Sequence, residues 1–233
     1  MRILTLETSG LTGSIALWRD GEITQRSLAT AGRRHAQSLT LEIHDLLAEL
    51  QMPIRTLDVI AVSLGPGSFT GLRVGVVCAK TLGYALGCRV LGIETFAAIA
   101  QQAPADESRL HIVSDAQRGD LFHQIYERQQ DGWQPITELT IVPGEEWSRS
   151  LTTNDVVAGP GVAKLAAEAT VARLSNESWS REPTATGLCQ AALPRSERGE
   201  SDNIWTLAPI YLRPSAAEEQ WAKRHATVAD ENR

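Results

Sequence analysis

Cysteine is scarce and unpatterned. Cys78, Cys88 and Cys189 are the only three in 233 residues, at no disulfide or metal-ligand spacing, which points to a reducing compartment. Apolar runs long enough to span a bilayer are missing, and no signal peptide precedes the opening strand MRILTLETSG. The expectation is a cytoplasmic protein that does not engage a membrane. Basic charge is in deficit: 22 Lys and Arg stand against 28 Asp and Glu, a net charge of −6. A protein that holds nucleic acid unaided shows a basic surplus or stripe, and the densest cluster here is only Arg33-Arg34-His35. Any work on a nucleic acid needs a partner for most of the grip.

Catalytic signatures are equally thin. Of the five histidines, His35 and His44 are nine apart, His111 and His123 fall in a strand pair, and His225 lies near the end. None has a partner one helical turn away, so no zinc site of the His-x-x-x-His kind is expected. No cysteine has a neighbouring histidine to activate it. Lys80-Thr81 invites comparison with a phosphate-binding P-loop, but Val74 and Ala79 occupy the required glycine positions. Lys80 also sits deep in a helix rather than at its first turn. We expect no catalytic residue, no metal and no cofactor.

What is present centres on Ala61–Gly87. Val59–Leu64 is an apolar run that predicts a buried strand, Gly65-Pro66-Gly67 a turn, and Ser68 a helix cap. In the helix that follows, Gly67, Gly71, Gly75, Ala79, Gly83 and Gly87 recur at every fourth position and form one nearly bare side. Each interior glycine costs about 1 kcal/mol against alanine, so another backbone must approach closely to compensate. The other faces are apolar except for Arg73 and Lys80. Two placements stay open: a central helix of the chain's own core, or a helix at a subunit boundary.

Around this segment the chain reads strand (Arg2–Leu6), strand (Ser14–Trp18), strand (Glu22–Leu28), helix (Arg34–Leu50), strand, helix, strand (Arg89–Ile93) and short helix (Glu94–Gln102). Asp20-Gly21 marks a hairpin, and Leu39, Ile43, Leu46, Leu47 and Leu50 mark one face of the first helix. Three antiparallel strands followed by alternating helix and strand make a ribonuclease-H-like α/β unit. The plan recurs after Pro104. Leu110–Ser114 and Asp120–Glu127 are strands, Asp115 stands where Glu7 stood, and DVVAGPGVAKLA echoes AVSLGPGSFTGL. The expected division is 1–104, a smaller degenerate copy over 105–213 with a short helix at Val162–Ala169, and a charged tail over 214–233 with a helix at Ala216–Arg224. Pro194–Asn203 reads as a mobile loop and Ile204–Leu212 as a final strand-like segment.

Two candidate sites follow. The turn at Gly65–Thr70, with Ser68 and Thr70 at a helix start and Thr8 and Ser9 at the end of the first strand, is a possible weak anion or nucleotide contact. The simpler reading, that Gly-Pro-Gly only turns the chain and Ser68 only caps, is favoured. Glu7 and Asp115 end the two leading strands; either they form an acid–base pair or each hydrogen-bonds the turn after it.

Five stretches, LETSGLTGSIAL, RRHAQSL, SLGPGSFTGLRVGVVCAK, DAQRGDLFHQIYE and APIYLRPSAAE, closely resemble the TsaB (YeaZ) family of bacterial tRNA threonylcarbamoyladenosine biosynthesis. The likeness runs from Ile3 to about Tyr126 and returns at Pro209–Arg213. It implies a two-lobed actin/Hsp70/sugar-kinase-like fold and a subunit without chemistry of its own. The family's catalytic paralogue, TsaD, holds the metal and transfers threonylcarbamoyl from its adenylate to an adenosine beside the tRNA anticodon. A small ATPase, TsaE, joins the assembly, tRNA is met through the complex, and the subunit alone forms homodimers. The resemblance places the helices at Arg34–Leu50 and Ser68–Gly87 in a bundle with the partner's, and with them His35, Leu39, Gly71, Leu72, Gly75, Ala79 and Gly83 as partner-binding residues. It also departs from the family at Glu7, where aspartate is commoner, which further weakens phosphate chemistry there. The main alternative is a nucleotide-binding phosphotransferase or ATPase of the same fold.

Overall fold

The structure, a computed structural model, describes residues 1–28, 35–165, 171–175 and 177–213, with the side chains of 35–37 left aside. The expected helix at Ala216–Arg224, the Arg33-Arg34 pair and the side chain of His35 lie outside that description.

The first sheet is built from β1 (Arg2–Glu7), β2 (Ser14–Arg19), β3 (Glu22–Ser27), β4 (Val59–Gly65) and β5 (Arg89–Glu94), in the order β3-β2-β1-β4-β5. The β1–β2 and β2–β3 pairs are antiparallel, whereas β1–β4 and β4–β5 are parallel. Parallel strands need helical crossovers, and α1 (His35–Glu49) and α2 (Phe69–Leu86) supply them. Alternate residues of β1 point to opposite faces. Leu4 and Leu6 pack with Leu39, Ile43, Leu46, Val76 and Ala79 beneath α1 and α2, while Ile3 packs with Ala98, Leu188 and Ala192 on the other side. Burial on both faces is why β1 and β4 are nearly continuous apolar runs.

The second sheet repeats the plan. Its strands are β6 (Arg109–Asp115), β7 (Asp120–Gln129), β8 (Gly132–Pro135), β9 (Thr140–Pro143), β10 (Val156–Ala158) and β11 (Arg173–Leu174). The order is β11-β10-β6-β7-β8, with β9 also pairing β7. The β6–β7 pair is antiparallel and β6–β10–β11 are parallel, so β6 stands where β1 stands and β10 where β4 stands. This is the two-lobed, duplicated ribonuclease-H-like arrangement of the actin/Hsp70/sugar-kinase fold. The second copy carries α4 (Gly144–Ser150) and the short α5 (Ser178–Arg181). In place of the helix expected at Val162–Ala169, Pro160–Lys164 form a 3-10 turn, and 166–170 lie outside the described residues.

The remaining helices bind the halves together. Helix α3 (Thr95–Gln101) follows β5 directly, and α6 (Ala185–Glu197) returns from the second sheet to the first. Expecting 105–213 to belong wholly to the second lobe was therefore too generous. Leu188 and Ala192 cover the face of β1 and β4 that α1 and α2 leave open, and Thr5 Oγ1 donates to the Ala185 carbonyl at 3.0 Å. Gly187 permits that approach, since a Cβ there would lie 2.3 Å from the Ala98 carbonyl oxygen.

Two further expectations are corrected by the same packing. Pro194–Asn203 is no loop throughout: α6 continues through Pro194 to Glu197. Arg195 then holds Glu200, Asp202 and the Gly92 carbonyl. Ile204–Leu212 joins neither sheet and instead forms a strap over α2 that opens with a turn at Ile204–Thr206, closed by the Thr206 and Leu207 N–H groups on the Asn203 carbonyl, with Ile210 N–H donating to the Leu64 carbonyl at 2.8 Å.

Candidate functional site

Which way α2 faces decides the site. Ser68 caps the helix, its Oγ accepting from Gly71 N–H at 3.2 Å, and Gly87 ends it at φ 65°. The bare side lies against the chain's own first sheet. A Cβ on Gly71 would stand 2.0 Å from the Thr8 carbonyl oxygen, one on Gly75 2.3 Å from Thr8 Oγ1, and one on Gly83 2.3 Å from Val90 Cγ2. At Gly71 the approaching backbone is that of Thr8, just beyond β1, while the side chains of Thr8 and Val90 fill the room at Gly75 and Gly83; no partner helix is needed. Leu39 and Leu72 are also buried. Leu39, Gly71, Leu72, Gly75, Ala79 and Gly83 therefore form core, and their assignment to a partner surface is corrected.

The opposite side of α2 is the one open to solvent. Val77 is 63% exposed and Tyr84 70%, seven residues apart and hence on one helical face. Trp205 of the strap, 73% exposed, meets the Tyr84 ring edge-on at 5.7 Å between centroids. Arg73 lies over the Phe69 ring at 3.8 Å and donates to Tyr211 Oη at 3.0 Å. Lys80 Nζ donates to the Leu207 carbonyl at 3.0 Å. Beside this face runs an apolar groove of about 430 Å³ between α1 and the end of α2, lined by Ile43, Leu47, Met52 and Leu82. An aromatic and aliphatic strip framed by cations at its edge suits a protein surface. The sequence held a signal for it: Arg73 and Lys80 mark the wet side, and Val77 and Tyr84 share that side.

Between the lobes lies a cleft of about 1060 Å³. Both Gly-Pro-Gly turns border it. Of the four residues considered for anion contact, Ser9 and Ser68 line it, whereas Thr8 is buried beneath α2 and Thr70 is exposed outside its lining. Ser9 is already engaged: its N–H and Oγ–H both donate to Glu7 Oε1, at 2.6 and 2.5 Å, and its carbonyl accepts from Ser68 N–H at 2.8 Å. Glu7 points inward and is fully buried. Asp115 accepts from Gln117 N–H at 2.8 Å and pairs with Lys164 at 3.4 Å. Each carboxylate thus bonds the turn that follows it. Among the described residues, no group of three His, Cys, Asp or Glu stands close enough to hold a metal ion.

Glu7 has a measurable consequence. Burial pushes its carboxyl up to about 7, against the bonds from Ser9 and Ser63 that pull it down, and Oε2 finds no partner. The folded pKa lies above the unfolded value, so stability is intact below about 4.5 and falls as pH rises through about 7. Glu7→Gln keeps the acceptor for Ser9 without the charge. We predict that it is more stable than wild type at pH 8, by about 3 kcal/mol, and equal near pH 4 in urea titrations. Equal stability at pH 8 would refute this account of Glu7.

The second lobe carries an opposite pH response. His111 Nδ1 and His123 Nε2 stand 3.1 Å apart, His111 Nε2 is 3.2 Å from Asp155, and Trp147 packs on both rings. Burial lowers both histidines, with His123 taken to about 4 by burial and by His111. Asp155 draws His111 back up and Arg109 presses it down. Folded values below the unfolded one mean that the neutral pair contributes fully above about pH 6.5 and is lost as pH falls toward 4. Denaturation midpoints should drop across that window, and His123→Phe, which keeps the stacking on Trp147, should flatten the drop. An unchanged slope in the variant contradicts this assignment.

Comparison with known proteins adds to this geometry. A protein-family model described as TsaD, tRNA N6-adenosine threonylcarbamoyltransferase, matches residues 29–197. Over 232 residues the chain is 27% identical to the tRNA threonylcarbamoyladenosine biosynthesis protein TsaB of Escherichia coli (strain K12), covering 96% of this chain and 98% of that one. It is 25% identical to the Bacillus subtilis (strain 168) protein of the same name over 228 residues, covering 95% and 98%. The solved structure of YeaZ from Pseudomonas aeruginosa superposes with a TM-score of 0.78 at 27% identity, covering 91% of this chain and 99% of that chain.

Proposed function

The chain belongs to the tRNA N6-adenosine threonylcarbamoyltransferase (TsaD) family and, within it, to the TsaB (YeaZ) group, and we propose that it serves tRNA threonylcarbamoyladenosine formation as a non-catalytic subunit that binds a separate catalytic paralogue, TsaD. The observation that carries this reading is the solvent-facing strip of Val77, Tyr84 and Trp205 on and beside α2. Apolar side chains this exposed on a helix whose other side is fully packed call for a covering protein. In this reading the paralogue covers the strip in the working complex, a second copy covers it when the paralogue is absent, and TsaE joins the assembly. The net charge of −6 accords with tRNA being held through the complex, in the cytoplasm, rather than by this chain alone.

The phosphotransferase alternative needs carboxylates free to face a metal-bound nucleotide in the cleft. Glu7 is buried on Ser9, and Asp115 is committed to Gln117 and Lys164, which favours the subunit reading. The test mixes the purified chain with the catalytic paralogue. Coelution in size-exclusion chromatography, transfer to tRNA that requires both, and no ATP hydrolysis by the chain alone are expected. Turnover by the isolated chain would overturn the proposal.

A further inference from the structure

We propose that the strap from Asp202 to Arg213 is a clasp between the lobes, pinned by Arg213, that ties the outer face of α2 to the Ala116–Gly119 turn and sets the width of the cleft. The strap is anchored to the first lobe along its length. Asp202 accepts from Gly92 N–H at 2.7 Å and its own N–H donates to the Val90 carbonyl at 2.8 Å. The Leu207 carbonyl accepts from Lys80, Ile210 N–H donates to Leu64, and the Tyr211 ring packs on Phe69 at 5.1 Å while its hydroxyl accepts from Arg73. Two residues later the chain crosses to the second lobe. There the Arg213 guanidinium donates to the carbonyls of Ala116 and Gln117 and to the Asp120 carboxylate. Ile210, Tyr211, Leu212 and Arg213 form one wall of the cleft.

The turn that Arg213 grips is itself costly. Gln117, Arg118 and Gly119 follow one another at φ of 68°, 60° and 84°, and left-handed backbone costs about 1–2 kcal/mol at each non-glycine residue. Such a conformation persists when its surroundings over-determine it. Asp115 holds it from one side, through Gln117 N–H, and Arg213 holds it from the other, through two carbonyls. A guanidinium reaches two carbonyls and a carboxylate at once because its donors are fixed in a planar fork, which an ammonium group does not match. This assigns a shared role to two stretches of the sequence, DAQRGD and IYLR, of which only Tyr211, through Arg73, also touches the partner-binding face. The inference concerns the isolated chain and does not rest on the partner reading.

The test is amide hydrogen exchange with small-angle scattering on the full chain. In Arg213→Ala, the amides of Gln117–Asp120 should exchange at least about tenfold faster. Core amides of β1 and β6 should keep wild-type rates, and the radius of gyration should rise. Tyr211→Ala, which leaves the guanidinium's acceptors in place but removes the anchor on α2, should shift the same amides in the same direction by less. Arg213→Lys should fall between. Wild-type exchange of the turn in Arg213→Ala, an unchanged radius of gyration, or core amides accelerated as much as the turn each overturn the clasp. If Arg213→Ala does not fold, Asp120→Asn, which removes only the carboxylate contact, is measured in the same two ways, and wild-type exchange of the turn in that variant overturns the clasp.

Discussion

Gly71→Ala melts about 6–12 °C below wild type. At an open helical position the same change adds about 1 kcal/mol of stability. Here the new Cβ meets the Thr8 carbonyl oxygen at 2.0 Å, and that atom is backbone. Thr8 has little room to retreat, because its N–H lies on Ser63 Oγ and the next residue is bonded twice to Glu7. Relief requires moving the first turn of α2 off the end of β1, and overpacking of that kind costs about 3 kcal/mol. For a chain of this length each kcal/mol moves the melting temperature by about 2–4 °C. Gly75→Leu pushes a whole side chain toward Thr8 and Val62 and should leave no folded protein to assay. Circular dichroism melts decide the matter, and a Gly71→Ala chain melting within about 2 °C of wild type would return the bare side of α2 to a subunit boundary.

The second large effect is expected on association and not on folding. Val77→Glu combined with Tyr84→Glu should weaken binding to the catalytic paralogue by at least about 100-fold, near 2.7 kcal/mol, and should disperse any self-associated form. Both side chains are largely in solvent, so replacing them costs only the exposed edge-on contact of Tyr84 with Trp205, and the melting temperature should stay within about 2 °C. At a covered interface the loss of a central aromatic alone exceeds about 2 kcal/mol, and a carboxylate left there without a partner adds to the penalty. Calorimetric titration against the paralogue and sedimentation of the chain alone measure the two associations. Retention of both at wild-type strength sinks the assignment of this face.

Most strands were legible because each carries its own signal. Arg2–Leu6 and Val59–Leu64 are apolar runs of strand length, Asp20-Gly21 is a hairpin turn, and Leu110–Ser114 restarts the pattern after Pro104. The helix at α6 was not legible. Its sequence ATGLCQAALPRSE mixes small residues with a proline in the last turn, and its partners in β1 and β4 lie more than 100 residues away in the chain. The strap escaped for the same reason, since its bonds to Leu64, Lys80 and Asp120 leave no local periodicity to detect.

The site divides along the same line. A run of glycine and alanine at every fourth residue is enough to show that some backbone must come close to α2, because only an absent Cβ leaves that room. It is silent on whose backbone comes, since a strand end and a partner helix demand the same bare surface. That choice fell to the pairing of β1 with β4, which sets Thr8 against Gly71 and Gly75 and so turns Val77 and Tyr84 outward. Local pattern was sufficient for the ribonuclease-H-like plan and its repeat, and the resemblance of five stretches to a known family supplied the family; the identity of the exposed face came from long-range packing, which no local pattern encodes.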